Sequence, residues 1–341
     1  GARTRVARGG ARRAARRRVV VACLAGAVLV LVTTSLLVGT TVHAPADVLR
    51  ALLGADVPGT SFAVLEIRLP RAVTGLAVGI AFGLAGVVFQ TMLRNPLAAP
   101  DVIGIASGAS AAAVFGIVVL SLSERSVAVL ALGGGLATAA AIYLRAVRQG
   151  FAGTRLILVG IGIAAMLDSV VAYLLSRASQ WDLQVAMQWL TGSLNGAGWN
   201  RTGPLLAAMV LALPVVASQS RRLEALRLGD ETAAGLGVPV TRTRLLLMGA
   251  ALALLPVAPA AAGPVAFVAF MAGPIAARLV GPGASLLVAS ALVGAVLVLG
   301  ADQVAQLATG TRYPVGVVTG VLGAPFLLWL LVRSYRTGGA L

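Results

Sequence analysis

Long apolar runs separated by short polar breaks dominate the chain between residues 19 and 333. An α-helix rises 1.5 Å per residue, so about 20 apolar residues cross the hydrocarbon layer of a bilayer. Ten runs approach or exceed that length, the sixth and eighth being short. They lie near residues 19–42, 70–92, 98–121, 126–144, 155–176, 204–218, 241–262, 265–280, 284–308 and 314–333. The pattern predicts an all-α, polytopic membrane protein of about ten transmembrane helices.

The composition agrees with a membrane protein and excludes several other classes. Hydrophobic residues make up 59% of the chain and charged residues 11%, which is more apolar surface than a soluble domain could bury. All 27 basic residues are arginine, and the 11 acidic residues leave a net charge of +16. Eight of the arginines lie in the tail before Val19 and most others lie at the ends of apolar runs, which argues against nucleic-acid binding. The single Cys23 and single His43 provide neither a disulfide framework nor a Cys/His metal cluster. We therefore predict no metal site.

The arginine distribution predicts the orientation. With the tail at residues 1–18 in the cytoplasm, 20 of the 27 basic residues fall on the cytoplasmic side of a ten-span topology. This bias favours an even number of spans, with both termini in the cytoplasm of a cell-membrane protein. We divide the chain into this tail, one transmembrane domain at residues 19–336 and a short tail at 337–341. The first apolar run is too long for a signal-peptide core, so we interpret it as a retained anchor.

The second span carries glycines four residues apart, Gly75, Gly79 and Gly83. Small residues at this spacing allow helices to approach closely in lipid, so this span is expected at the centre of the bundle.

The segment "RNPLAAPDVIGIASG", Arg94 to Gly108, interrupts the apolar runs between the second and third spans. Pro96 and Pro100 forbid a continuous helix there, and Asn95 can satisfy freed backbone groups. Gly104 and Gly108 then allow a close-packed return into the bundle. Taken alone, the segment is equally compatible with a plain turn.

Several further motifs occur in order along the chain: "RLPRAVTGLAVGIAFGLAGVVFQTML", "LGDETAAGLGVPVTRTR", "GPVAFVAFMAGPIAARLVG", "ADQVAQ" and "YPVGVVTGVLGAPFLLWLL". Together with the Arg94 segment they resemble the FecCD permease family of ABC importers for iron–siderophore complexes, haem and cobalamin, over about residues 19–332. The resemblance implies a ten-span subunit that pairs with an identical or paralogous permease. Two cytoplasmic ATPase subunits would drive transport, and an external binding protein would deliver the ligand. The family-motif or pathway positions would be Gln90, Arg94, Asn95, Pro96, Pro100 and Gly104. Gln90 and Asn95 fit packing between helices and lining of the pathway equally well.

The longest internal polar segment, residues 218–244, contains "RLGDETAAGLG" on the predicted cytoplasmic side. We expect Asp230 to cap a short helix from Glu231 to Leu236, with Gly237 in the left-handed conformation that ends it. Ala233, Ala234 and Leu236 would form a docking face, the alternative being a loop that packs on its own bundle. By resemblance this segment couples the permease to the ATPase. The expected coupling residues are Leu228, Gly229, Asp230, Glu231, Ala234, Gly235, Leu236 and Gly237.

Arg68 and Arg71 flank Pro70 at the predicted outer mouth of the second span, where arginine is otherwise scarce. In the resembling family these arginines pair with acidic residues of the binding protein. Arg312 could replace a docking charge that some members carry at the position of Gln306. The alternative is contact with lipid headgroups, which would not depend on the binding protein.

The favoured function is a permease subunit for an iron–siderophore importer, with cobalamin or haem as alternative ligands. The chain contains no lysine and so lacks the P-loop lysine that binds nucleotide phosphates, which assigns ATP and magnesium to the partner ATPase. Asp168 within the fifth span raises the alternative of an ion-coupled secondary transporter, although no charged partner for it is evident in a neighbouring span. No catalytic motif or paired carboxylates support an enzyme.

Overall fold

The computed structural model describes residues 2–39, 41–96, 104–147, 153–281, 283, 285–308 and 313–336. These residues form fourteen α-helices and one π-helical segment. In chain order the elements are α1 Ala2–Leu37, α2 Pro45–Leu52, the π-helical segment Ala63–Arg68, α3 Leu69–Met92, α4 Ile105–Val118, α5 Glu124–Val147, α6 Gly153–Arg177, α7 Gln180–Leu190, α8 Trp199–Ser218, α9 Ser220–Leu226, α10 Asp230–Gly235, α11 Val240–Ala262, α12 Val268–Val280, α13 Leu287–Leu307 and α14 Val315–Arg336.

The predicted set of ten apolar helices is confirmed. Within the described ranges, eight helices are long and apolar enough to cross a bilayer, and α4 and α12 are shorter apolar helices. The prediction was wrong about the sixth span, because α8 begins at Trp199 rather than at 204 and includes both Pro204 and Pro214. It also separated the arginine tail from the first span. In the structure α1 is continuous from Ala2, since alanine and arginine are strong helix formers.

Contacts between helix ends divide the bundle into two faces. At one face the end of α3 meets the starts of α10 and α11, and Arg16 of α1 donates to the backbone carbonyls of Arg278 and Leu279 at the end of α12. We call this the Arg-rich face. At the opposite face Arg71 of α3 meets Asp302 of α13. Helices α3 and α12 therefore end at the Arg-rich face and α11 begins there, whereas α13 ends at the opposite face.

Helix α3 lies at the centre, packed against α8, α11, α12 and α13. From residue 77 to residue 90 every position is buried except Ile80, which is partly exposed. A Cβ atom added to Gly79 would lie 2.5 Å from the carbonyl oxygen of Gly294, and one added to Gly83 would meet the backbone of Ser290. The backbones of α3 and α13 thus touch directly, and the predicted small-residue face is confirmed.

Replacing Gly79 by leucine should force α3 and α13 apart. Overpacking of this kind typically costs about 1–3 kcal/mol, and here the obstacle is backbone rather than a movable side chain. Thermal unfolding in detergent should show a clear fall in Tm for Gly79→Leu. Gly26→Leu is the matched control, because a Cβ on Gly26 meets no atom within 4 Å. Equal melting temperatures for the two variants would contradict the close contact.

Candidate coupling and docking sites

The C-terminus of α3 ends in a Schellman motif. The backbone N–H of Asn95 donates to the carbonyl of Gln90 at 3.1 Å, and that of Arg94 to the carbonyl of Thr91 at 3.3 Å. Arg94 occupies the left-handed position with φ of 50°, where glycine is usual. Such a conformation costs a non-glycine residue roughly 1–3 kcal/mol, so neighbouring contacts must hold it. Pro96 follows and prevents continuation of the helix, as predicted.

The side chain of Arg94 forms an ion pair with Asp230. The Oδ1 atom of Asp230 accepts from Nη2 of Arg94 at 2.6 Å and from Nη2 of Arg244 at 2.8 Å. The predicted capping role of Asp230 was wrong, because α10 begins at Asp230 and its N-cap is Gly229, with φ of 112°. The carboxylate instead ties α10 to the end of α3 and the start of α11. An acidic residue in the first turn still interacts favourably with the helix dipole.

Helix α10 ends as the sequence predicted. Gly237 has φ of 80°, its N–H donates to the carbonyl of Ala234 at 2.9 Å, and the N–H of Val238 donates to that of Ala233 at 3.0 Å. These two bonds form a second Schellman motif. The short helix is therefore closed at both ends by glycine, at Gly229 and Gly237.

The outer surface of this segment is apolar and open. Leu228 and Leu236 are each 65% exposed, and Ala234 and Gly235 are exposed between them. The prediction was wrong for Ala233, which is fully buried and anchors α10 to the bundle. An exposed apolar patch on an otherwise polar segment is typical of an interaction surface. Glu231 is also exposed, at the edge of the patch.

The side chain of Gln90 forms a hydrogen bond with the backbone of α12. Its Nε2 atom donates to the carbonyl oxygen of Phe270 at 3.0 Å. That carbonyl would normally accept from the N–H four residues later, but that residue is Pro274, which has none. Gly273 leaves room for the amide, because a Cβ there would collide with the side chain of Gln90. The sequence left open whether Gln90 packs or lines a pathway. Pro274 inside a predicted span was the signal for a missing backbone partner.

Gly104 provides the close-packed return into the bundle that the sequence predicted, and the structure shows that it brings α4 against α6. It is the N-cap of α4 with φ of 81°, and an added Cβ would lie 2.9 Å from the carbonyl oxygen of Gly160. Gly108 packs equally closely on α5, near the carbonyl oxygen of Gly134. Pro100 lies outside the described residues.

On the opposite face, Arg71 makes a two-pronged ion pair with Asp302. Its Nε and Nη2 atoms donate to the two carboxylate oxygens at 2.9 and 2.7 Å, and Nη1 donates to Oδ1 of Asn195 at 2.8 Å. The Arg71 side chain is 15% exposed and that of Asp302 4%. Gln306 also donates to Asp302 at 2.8 Å. Sequence reasoning missed Asp302 and Asn195, although an acid inside an apolar run signals that a partner is needed.

Arg68 is also bonded within the chain. Its guanidinium donates to the carbonyl of Leu36 at 2.9 Å and to that of Thr41 at 2.6 Å. Arg68 and Arg71 line one cavity of about 180 Å³, so the sequence placed them together correctly. Arg312 lies outside the described residues. A role of these arginines in docking stays a prediction, and an Arg71→Glu test would be confounded by the new carboxylate beside Asp302.

Asp168 projects from the outside of the bundle. It lies near the middle of α6 and is exposed, and the structure records no ion pair for it among the described residues. The described part of the chain therefore supplies no charged partner of the kind that a coupled carrier would need.

The profile of the FecCD transport family matches residues 16–333. The chain belongs to the FecCD transport family. It is 40% identical over 299 residues to the ferric enterobactin transport system permease protein FepG of Escherichia coli (strain K12), covering 87% of this chain and 91% of FepG. It is 38% identical over 308 residues to the achromobactin transport system permease protein CbrC of Dickeya dadantii (strain 3937), covering 89% and 88%.

A solved chain has the same fold. It is described as an ABC transporter of the metal-chelate type in an inward-facing conformation. The superposition has a TM-score of 0.81 at 26% identity and covers 92% of this chain and 98% of the solved chain. Membership in this family removes the support for an ion-coupled carrier, as does the lack of an ion pair for Asp168 among the described residues.

Neutralising Asp230 should loosen the attachment of α10. Half-exposed ion pairs each contribute about 0.2–1 kcal/mol to stability. Asp230→Asn should therefore raise the rate of amide hydrogen exchange across residues 230–238 by roughly threefold to tenfold. Glu231→Gln is the matched control, since this neighbouring acid carries the same charge and lies outside the Arg94–Asp230–Arg244 contact. Exchange mass spectrometry measures both variants. Unchanged exchange in Asp230→Asn would show that the ion pairs do not hold α10.

Proposed function

We propose that this FecCD-family chain is the transmembrane permease subunit of an ATP-driven importer that carries an iron–siderophore complex into the cytoplasm. Family membership over residues 16–333 is the observation that carries the proposal. FepG and CbrC, which match over nearly their whole lengths, serve ferric enterobactin and achromobactin transport. Cobalamin and haem are the alternative ligands. The permease partner is a second copy of this chain or a paralogue.

We assign the Arg-rich face to the cytoplasm, with both chain termini there. The positive-inside rule supports this orientation, because this face carries the arginine tail and the arginines around α9 to α11. The apolar patch of Leu228, Ala234, Gly235 and Leu236 then contacts the ATPase subunit. ATP and magnesium bind to that partner, because a P-loop requires a lysine and this chain has none.

The external binding protein docks on the opposite face. Arg68 and Arg312 are the candidates for docking charges there. Arg71 has a structural role instead. Its guanidinium donates hydrogen bonds to Asp302 and Asn195 and holds the start of α3 against α13. Docking through arginine–carboxylate pairs at this face would be weakened by salt, because each such pair contributes little binding free energy.

Reconstitution tests the proposed function. The permease, its ATPase and its binding protein in liposomes should accumulate a ferric catecholate or ferric carboxylate siderophore only when ATP is supplied. The same vesicles receive cyanocobalamin and haem in parallel assays. Uptake of one of these instead would overturn the iron–siderophore assignment, and ATP-independent uptake would overturn the importer mechanism.

Gly235→Trp should uncouple transport from ATP hydrolysis. Gly235 is exposed and an added Cβ there meets no atom within 4 Å, so the bundle should fold while the bulky ring blocks the docking surface. ATP-driven uptake should fall at least tenfold, with no change in the Tm of the isolated permease. Gly26→Trp, equally free of contacts but on α1, is the control and should transport normally. Normal uptake and normal ATPase assembly in Gly235→Trp would show that the patch does not contact the ATPase.

A further inference from the structure

A lateral groove opens between α8 and α13 at the Arg-rich face. Both helices pack on α3, but they make little direct contact with each other, so α3 is uncovered between them. Ile80 marks the uncovered point, because it is the one partly exposed residue between positions 77 and 90 of α3. The resulting cavity has a volume of about 750 Å³.

The walls of this α8–α13 groove are apolar along its depth. Ile80 and Leu84 of α3 form the floor, Leu213 of α8 forms one side, and Val288 and Leu292 of α13 form the other. Ile80 lies twelve residues before the end of α3, or about 18 Å along the helix axis. One leaflet of hydrocarbon is about 15 Å thick. The groove therefore extends through roughly the depth that one lipid tail occupies.

The mouth of the groove is cationic. Arg17 of α1 and Arg221 of α9 line it, with Ser220 and Ser285 beside them. Neither arginine has an ion-pair partner within the described part of the chain. Glu224 also lines the mouth, but its carboxylate is paired with Arg227. Two arginines that form no ion pair with any described residue thus lie at the end of the groove where the headgroup of a lipid would lie.

We propose that this groove binds an anionic glycerophospholipid, with one acyl chain against Ile80 and Leu84 and the phosphate between Arg17 and Arg221. The apolar part excludes water and matches a hydrocarbon tail, and a basic pocket between helices at a membrane surface recognises acidic headgroups. Guanidinium groups suit the phosphate because they can donate two parallel hydrogen bonds. The site does not depend on which ligand the importer carries.

Native mass spectrometry of the full chain in detergent tests the charge requirement. The probes are dioleoyl phosphatidylglycerol and dioleoyl phosphatidylcholine, which share their acyl chains. Wild type should bind phosphatidylglycerol at least tenfold more tightly. The double variant Arg17→Gln with Arg221→Gln should lose that preference and keep its affinity for phosphatidylcholine. The control, Arg145→Gln with Arg242→Gln, removes the same charge from exposed positions outside the groove and should behave as wild type.

A second pair of variants tests the acyl-chain part. Ala291→Phe fills the groove and should weaken binding of both lipids by a similar factor, whereas Ala207→Phe places the same ring on the exposed side of α8 and should change neither. Loss of selectivity in the Arg145/Arg242 control, or full phosphatidylglycerol binding in the Arg17/Arg221 variant, would overturn the proposal. The arginine variants carry this test even if Ala291→Phe does not fold.

Discussion

The direct contact between the backbones of α3 and α13 is the constraint on which the rest of the structure depends. In lipid no hydrophobic force draws helices together, so packing must come from close approach at small residues. Gly79 and Gly83 on α3, with Gly294 on α13, provide it. The central position of α3 follows, and its two ends then define both sites: Arg71 at its start and Arg94 at its end.

The two ion pairs at the ends of α3 differ in what they can do. Asp302 is almost completely covered, and removing one partner from a buried pair typically costs about 3–5 kcal/mol. This contact therefore fixes α3 to α13 and Asn195. Asp230 is 41% exposed, and pairs of that kind are worth about 0.2–1 kcal/mol. Breaking or rearranging this second contact therefore costs less free energy, so movement is easier at the Arg-rich face than at the opposite face.

A backbone carbonyl that loses its helical donor to a proline explains why Gln90 and the Gly273–Pro274 pair, which are distant in the sequence, depend on one another. Pro274 leaves the carbonyl of Phe270 without its helical donor, Gln90 supplies one from α3, and Gly273 makes room for the amide. Replacing any one of Gln90, Gly273 and Pro274 changes which residues can be accommodated at the other two. Phe270 is buried, so leaving its carbonyl without a donor would be costly, and the three positions act as one unit.

The sequence by itself determined the all-α class, the ten apolar helices, the small-residue face of α3, the break at Pro96 and the glycine stop at Gly237. Each depends on local chemistry or on a periodicity of a few residues, which a single chain displays directly. Only the tertiary structure decided that Asp230 bridges two arginines rather than capping α10, that Ala233 points inward, and that Arg71 is bonded to Asp302. Those partners are distant in sequence, and an ion pair has no periodic signal, so its members are identified only when the packed helices bring them within hydrogen-bond distance.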